Sequence, residues 1–210
     1  MVRNGTVISE KPVMKDELNK YKRARLVEVA SELFYERGFV GTTLDAVADK
    51  LDVNKPFIYQ FFSSKHEILA AVVEQEIKRT TDLLDLAYQR ETGAPARLRS
   101  FVSSWVRENI EFRMIAMIFW QEQHHFSPET QEENRILQKS FNLRLTDLIE
   151  SGIKSGDFNV DNPRLAAFAL IGLAQWIPRW YRPDGEFEVD EIAAYFSEQA
   201  LRIVGFSSNE

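Results

Sequence analysis

The side chains best suited to chemistry lie in one short segment of the chain. Lys55, Phe57, Tyr59 and Gln60 fall on the outward side of a very short predicted helix. Pro56 lies in the first turn of this helix, where its missing N–H costs nothing. An exposed face that combines a cation, aromatic rings and an amide is poorly suited to water. It is well suited to the major groove of DNA.

A second group with possible chemistry is formed by His124 and His125, with Glu122 nearby. Imidazoles and carboxylates are common ligands of metal ions. Neighbouring positions of a helix point about 100° apart, so two adjacent histidines are not expected to reach the same ion. We therefore predict no metal site. The third histidine, His66, is expected at an exposed helix start on the DNA side.

Catalytic motifs are missing from the sequence. There is no cysteine, which excludes a thiolate metal site and a cysteine nucleophile. The chain also lacks a phosphate-binding glycine loop, a paired-histidine zinc helix and a nucleophile elbow. These observations disfavour an enzyme and imply no cofactor.

The outward-facing segment is predicted to be positioned by a helix-turn-helix. Apolar residues recur at helical spacing from about residue 17 to 37, and Gly38 is placed to end that helix. Thr42 is the expected N-cap of the next helix. Asp52 can adopt the left-handed turn that follows, and Asn54 can cap the short helix.

The remaining sequence predicts only helices. A capping signal at residues 64–67 begins a long helix that ends before Pro95, and further helical patterns cover about 95–111, 112–125, 128–154, 161–181 and 188–204. No stretch alternates convincingly at period two. The predicted fold is all-α, with about nine helices, a three-helix domain at residues 1–66 and a helical domain at residues 67–210. Residues 1 to about 15 lack periodicity and are expected to form a mobile arm.

Charge is distributed unevenly along the chain. The net charge is −6, but residues 1–25 hold seven basic and three acidic residues. A basic front on an acidic protein is expected if only the front touches phosphates. The amino terminus lacks an apolar signal segment, and the longest apolar run, Leu165 to Ala174, is too short for a membrane helix. These features predict a cytoplasmic location.

Residues 20–70 resemble the TetR family of transcriptional regulators. The resemblance is an ordered set: Ala30, Leu33, Phe34, Gly38, Phe39, Thr42, Thr43, Val47, Ala48, Val53, Lys55, Ile58, Tyr59, Phe61 or Phe62, Lys65 and Leu69. It implies an N-terminal DNA-binding domain and a C-terminal ligand-binding and dimerisation domain. Asp52, Asn54 and Pro56-Phe57 depart from the usual family pattern, so the operator sequence cannot be inferred from relatives.

The resemblance also implies roles for the helix-turn-helix side chains. Thr42, Thr43, Lys55, Tyr59 and Lys65 would contact DNA phosphates. Phe57 and Gln60 would face base edges, because glutamine can pair with adenine and an aromatic ring can press on a thymine methyl. Cap, solvent or packing roles for these residues remain alternatives. A two-fold dimer on an inverted-repeat operator is expected.

The C-terminal domain is predicted to hold a small apolar effector. Residues from Gly152 to Gly185 resemble family members that respond to acyl-coenzyme A thioesters. Candidate ligand-binding residues are Trp105, Phe112, Met117, Trp120, Phe141, Phe168, Trp176, Arg179 and Trp180. Arginines at 107, 113, 179 and 182 could hold the coenzyme phosphates. An ordinary core or solvated role is the alternative for each of these residues.

Two helices near the carboxyl end are predicted to form the dimer interface. Residues 165–177 are apolar on nearly every side, and residues 189–204 carry a broad apolar stripe. Such helices can pair with a second copy as a four-helix bundle. The predicted function is a ligand-released repressor. A helical protein-binding adaptor, or an all-α enzyme, is the alternative.

Overall fold

The computed structural model describes residues 11–207, with side chains from residue 15 onwards. Within this range the chain is helical and has no strand. The α-helices are α1 (Lys11–Gly41), α2 (Leu44–Leu51), α3 (Lys55–Tyr59), α4 (Lys65–Arg90), α5 (Ala94–Glu111), α6 (Arg113–Glu122), α7 (Pro128–Ser155), α8 (Pro163–Trp180) and α9 (Val189–Ile203), with a 3₁₀ turn at Gln123–His125. The predicted all-α class and the number of helices are confirmed.

The chain divides between Leu69 and Ala70 into two compact units, which we call the head and the body. In the head, α1 carries the core residues Leu26, Val29 and Leu33, which are almost completely buried. The helix is interrupted at Gly38, whose φ of 72° lies in the left-handed region that glycine tolerates.

Two predictions about the head are corrected. Residues 11–15 are part of α1, so the helix begins earlier than the apolar periodicity indicated; residues 1–10 of the predicted mobile arm lie outside the described residues. The N-cap of α2 is Thr43, not Thr42: the Thr43 hydroxyl accepts a hydrogen bond from the N–H of Ala46 at 3.1 Å.

The turn between α2 and α3 follows the sequence prediction. Asp52 adopts a left-handed conformation, with φ 54° and ψ 45°. Its N–H donates to Asp49 at 3.2 Å, and the N–H of Val53 donates to Ala48 at 3.0 Å, which closes the end of α2. Asn54 caps α3 by accepting from the N–H of Phe57 at 3.0 Å. These local bonds fix the direction in which α3 leaves the turn.

The body core is built around α5, which packs against α7, α8 and α9. Leu98, Phe101 and Val106 on α5 are almost completely buried, as are Leu145 and Leu148 on α7. Rings of Phe101 and Trp105 stack at 5.2 Å. Burial of such side chains supplies most of the stabilisation of a helical domain.

Helix α8 ends two residues after Pro178, as expected for a proline that cannot donate to the helical ladder. Tyr181 closes the helix by donating its N–H to Ile177 at 3.0 Å. No helix within residues 11–207 is long and apolar enough to cross a membrane.

Candidate DNA interface and ligand pocket

Most of the residues that the sequence predicted to contact DNA lie on or next to α3: Lys55, Pro56, Phe57 and Tyr59 are in the helix, and Gln60 is its C-cap. Ile58 is fully buried and anchors the helix in the head. Pro56, Tyr59 and Gln60 are exposed, with about half of the Tyr59 surface open to solvent (52%). A short helix fixed from beneath and polar on its outer side can enter a groove without rearranging the head.

Phe57 is partly exposed on the outer side of α3 and partly packed within the head. Its side chain is half-buried, and its ring centroid lies 5.3 Å from that of Phe61. The ammonium of Lys22 from α1 lies 5.8 Å from the ring centroid, within the range of a cation–π interaction. Only part of the Phe57 side chain is therefore available to a base.

Lys55 lies beside Phe57 and is already paired. Its Nζ donates to the Oδ2 of Asp45 on α2 at 2.9 Å. The hydrogen bond and charge of Asp45 raise the pKa of Lys55, so its ammonium stays charged. The ion pair is exposed, and such pairs contribute little to stability. Lys55 can therefore exchange Asp45 for a phosphate at low cost.

The two threonines differ in accessibility. Thr42 is fully buried, and its hydroxyl lies 2.9 Å from the carbonyl oxygens of both Leu33 and Gly38. The hydroxyl is enclosed by α1 in this conformation and is not open to solvent. The phosphate contact of Thr42 stays a prediction. Thr43 is exposed and remains able to reach a phosphate.

Lys65 ties the start of α4 to the end of α1. Its ammonium donates to the carbonyl oxygen of Thr42 at 2.7 Å and to that of Phe39, and lies 4.2 Å from the Phe39 ring centroid. Two of its three donors are therefore directed at backbone oxygens. This geometry favours a positioning role over the predicted phosphate contact.

No sequence pattern predicted a specific contact for Arg23, a basic residue of α1. The guanidinium of Arg23 on α1 lies 4.8 Å from the ring centroid of Phe62, which is buried in the head. Only the basic excess of residues 1–25 pointed toward this region. The pairing itself depends on how α1 packs, which local patterns do not specify.

The body contains a cavity of about 160 Å³. Five helices line it, with aromatic and aliphatic side chains over most of the wall and amides at several points. The lining residues are Val73, Glu76, Ile77, Thr80, Trp105, Asn109, Ala116, Phe119, Trp120, Gln138, Phe141, Asn142, Phe168, Ile171 and Gln175. An apolar wall with a few convergent polar groups is typical of a small-molecule site.

A charged cluster borders this cavity. Arg79 contacts Glu76 at 2.6 Å and Glu108 at 3.0 Å, and its guanidinium lies 4.1 Å from the ring centroid of Phe112. Arg79 Nε has no well-aligned hydrogen bond, so its contact with Glu108 is an ion pair only. Burial raises the pKa of both carboxyl groups, against the opposing effect of Arg79. The single positive charge of Arg79 thus lies between two partly buried carboxyl groups.

Both units match models of one protein family. Residues 26–72 match the family described as bacterial regulatory proteins, tetR family. Residues 91–204, more than half of the chain, match the tetracyclin repressor-like C-terminal domain. The chain belongs to the TetR family. Its members are DNA-binding transcriptional regulators rather than enzymes.

Individual TetR-family proteins are similar over most of the chain. The repressor KstR2 of Rhodococcus jostii (strain RHA1) is 26% identical over 181 residues, covering 83% of this chain and 87% of the relative. A tetR-family regulatory protein from Rhodococcus RHA1 has a TM-score of 0.80 at 28% identity, covering 89% and 98% of the two chains. AibR, solved with isovaleryl coenzyme A and operator DNA, has a TM-score of 0.74 at 20% identity, covering 84% and 96%, and thus shares the fold.

The TetR-family body brings together four of the nine ligand-binding candidates. Trp105, Trp120, Phe141 and Phe168 line the cavity. Phe112 is not among the lining residues, and its ring lies against the Arg79 guanidinium. Met117 is half-buried on α6 and is not among the lining residues.

The other three candidates lie on the outer side of α8. Trp176 is 59% exposed and Trp180 is 37% exposed, and the guanidinium of Arg179 lies 5.1 Å from the Trp176 ring centroid. Sequence reasoning also missed the polar lining, including Gln138 and Gln175. An amide facing a cavity has the same helical spacing as an amide facing solvent, so the sequence carried no signal for it.

The arginines proposed for the coenzyme phosphates are not part of the cavity wall. Arg107 pairs with Asp190 on α9, and Arg182 donates to the backbone oxygen of Tyr181 at 3.0 Å. Arg113 begins α6 and does not line the cavity. The cavity lining therefore contains none of the four arginines that the sequence suggested for the coenzyme phosphates.

The histidine pair departs from the sequence expectation. The ring centroids of His124 and His125 are 4.1 Å apart, and His125 Nε2 lies 3.6 Å from Glu122 Oε2. The prediction that the two rings diverge is wrong, because α6 ends at Glu122 and a 3₁₀ turn follows.

Proposed function

We propose that this TetR-family chain is a cytoplasmic, homodimeric repressor that binds an inverted-repeat operator through α3 and releases it when a short acyl compound occupies the body cavity. The observation that carries the DNA-binding part is the geometry of α3. Buried Ile58 and the Asn54 cap hold it, while Tyr59 and Gln60 are exposed on its outer side. The adaptor alternative does not require this exposed polar face.

Tight operator binding requires two heads. Each good contact between a side chain and a base is worth only about 1 to 3 kcal/mol, and α3 offers few of them. A two-fold dimer doubles the contacts and demands an operator of matching symmetry. Half-site centres are then expected near a multiple of about 10 base pairs.

Exposed apolar residues on α8 and α9 support the dimer. Leu165, Trp176 and Tyr195 each expose about 60% of their surface, with Phe187 between the helices half exposed. Monomers rarely leave several large apolar side chains exposed on neighbouring helices. A second copy that covers these helices would form a four-helix interface.

The cavity size indicates the effector class. A cavity of about 160 Å³ is close to the volume that encloses one benzene-sized molecule. This volume fits an acyl chain of about four to six carbons better than a long fatty acyl chain. Isovaleryl coenzyme A bound to AibR is an effector of this size class in a protein of the same fold. On this proposal the nucleotide part of a thioester lies outside the cavity.

The first test is selection of random DNA by the purified full-length protein at low salt, followed by sequencing of the bound pool. An enriched inverted repeat supports both DNA binding and the dimer. No enrichment contradicts the proposal and moves the protein-binding adaptor ahead of it.

The selected operator then provides the effector assay. Isovaleryl coenzyme A is titrated against the complex while anisotropy of labelled DNA is recorded, with free coenzyme A and a long-chain acyl thioester as controls. Release by the short thioester alone is expected. Phe168→Ala should weaken release, because Phe168 lines the cavity. Tyr88→Ala should not, because Tyr88 is an exposed aromatic residue that is not part of the lining. Release by free coenzyme A, or by none of the three, contradicts the acyl proposal but not DNA binding.

A further inference from the structure

One cluster of ligating side chains in the body lies outside the DNA face and the cavity lining. The ligand atoms of Glu122, His124 and His125 all lie within 4.8 Å of one another. It is the one such group among the described side chains, and it contains two of the three histidines of the whole chain.

The backbone explains why these three residues converge. Helix α6 ends at Glu122, and the next three residues form a single 3₁₀ turn. Side chains at positions i and i+3 eclipse one another in a 3₁₀ turn, which brings the His125 ring over the Glu122 carboxylate. The ring of His124 lies against that of His125 at 4.1 Å. The chain continues in extended conformation at Phe126, and the Ser127 cap then begins α7.

The environment of the cluster favours a cation. Glu122 is only 7% exposed, and its Oε2 lies 3.6 Å from Nε2 of His125. A divalent ion between this carboxylate and the two imidazoles would balance the negative charge of Glu122 in a position with little access to water. Two imidazole nitrogens and one carboxylate oxygen form a set that zinc and neighbouring transition metals bind, whereas calcium and magnesium prefer oxygen ligands alone.

Space for the remaining ligands lies next to His124. A surface cavity of about 410 Å³ there is lined in part by Asn134 and Gln138 of α7. Asn134 is 6% exposed, and its Nδ2 has no hydrogen-bond partner among the described residues. A buried amide of this kind can bond to water on an ion, and such outer contacts orient metal ligands.

We propose that Glu122, His124 and His125 bind one divalent transition-metal ion, of which Zn²⁺ is the best match. The site adds a second ligand to the body. Glu122 is two residues beyond Trp120, which lines the effector cavity. The metal would therefore bind at the end of α6, the helix that forms one wall of that cavity.

The test is calorimetric titration of Zn²⁺ into full-length protein that carries no polyhistidine tag and has been treated with a chelator. One ion per chain is expected. His124→Ala, His125→Ala and Glu122→Gln should each weaken binding by at least about tenfold. His66→Ala is the matched control, because His66 is exposed in the head and is not part of the cluster; its affinity should equal that of the parent protein. No binding, or equal losses in His66→Ala and His125→Ala, would overturn the proposal.

A second measurement does not depend on the variants folding. Co²⁺ in a site with imidazole ligands and low coordination number absorbs visible light more strongly than the hydrated ion. We expect this absorption in the unmodified protein, together with a change in tryptophan fluorescence, and we expect the absorption to be lost when Zn²⁺ is added. A spectrum identical to that of hydrated Co²⁺ would contradict the site. Neither readout involves DNA or an acyl thioester, so failure here is separate from failure of the repressor proposal.

Discussion

The head and the body place their functional residues in different ways. In the head, the exposed face of α3 is fixed by contacts close in sequence, such as the Asn54 cap and the left-handed Asp52. In the body, the cavity wall comes from five helices between Val73 and Gln175. A few consecutive residues can thus determine a recognition surface. A ligand cavity depends on the packing of helices that span about a hundred positions.

The two units also treat charge differently. Lys55 and Asp45 form an exposed pair that can be exchanged for a phosphate. Glu76, Arg79 and Glu108 form a partly buried cluster in which burial raises the pKa of both acids. The Lys55 ammonium of the head is accessible to a polyanion. The charges of the body lie at the edge of an apolar cavity, where their desolvation costs free energy.

The largest expected effect tests whether the head and the body unfold independently. Ile58→Ala removes a fully buried side chain beneath α3 and should cost about 2 to 5 kcal/mol. Hydrogen exchange should show weaker protection in residues 44–62, with loss of operator binding. Leu145→Ala is the matched change in the body core, where Leu145 is also fully buried. Equal loss of protection in both units for either variant would show that the head and the body do not unfold separately.

The next prediction divides the α3 face into positioning and sequence-reading contacts. Lys55→Ala should lower affinity for all sequences alike and reduce the salt dependence of binding by about one counterion. Gln60→Ala should relax preference at one operator position, worth about 1 to 3 kcal/mol. Lys50→Ala is the control, because Lys50 lies in the last turn of α2 and not on α3; it pairs with Glu32 of α1 at 2.8 Å. Operator affinity that does not change with salt would contradict the phosphate contacts.

The contrast between the two threonines can be tested in the same way. Thr42→Val keeps the buried shape but removes the hydroxyl that faces the carbonyls of Leu33 and Gly38, and should cost about 1 to 3 kcal/mol. Thr43→Val removes only the α2 cap, at about 1 kcal/mol, but should also weaken DNA binding. Thermal unfolding and operator affinity measure the two effects. A stable Thr42→Val protein with weakened DNA binding would support the phosphate contact predicted for Thr42.

The sequence predicted those features that depend on nearby residues. The interruption at Gly38, the Asn54 cap, the Asp52 turn and the short α3 are all determined within a few positions. The error over Thr42 arose because two adjacent threonines can each cap a helix in principle. Only the packing of α1 decides which of them is buried.

The cavity could be predicted only in part. Trp105 and Phe141 are large apolar residues that any helical core attracts, and they do line the cavity. Trp176 has the same character but lies on the outer side of α8, 59% exposed. Periodicity identifies an apolar side of a helix without saying what covers it. The convergence of Glu122 with two histidines was missed for a related reason, since it depends on where α6 changes to a 3₁₀ turn.

A smaller effect tests the charge cluster of the body. Because the folded-state pKa of Glu76 is raised above 4.5, the native chain holds its proton at pH values where the unfolded chain has lost it. The contribution of Glu76 to stability therefore falls as pH rises through this window. Glu76→Gln should raise Tm by a few degrees at pH 7, with the difference from the parent vanishing below about pH 4.

The control for this pH dependence is Glu74→Gln, an exposed position on the same helix. Arg79 keeps Glu108 as a partner when Glu76 is replaced, so no cation is left alone. If Glu76→Gln lowers Tm at neutral pH, attraction to Arg79 exceeds the cost of burial, and the cluster stabilises the body rather than opposing it.

The smallest effect concerns the most local feature of the head. Asp52 is the one described non-glycine residue with positive φ, at 54°. Glycine adopts this conformation without the clash of a Cβ atom, but it also has more freedom to lose on folding. Asp52→Gly should therefore change the free energy of unfolding by less than about 1 kcal/mol and leave operator affinity unchanged. Asp52→Val, whose branched side chain resists this region, should destabilise the head by more. If both substitutions behave alike, the direction of α3 is set by packing of α1 and not by the turn, and the local character of the head is contradicted.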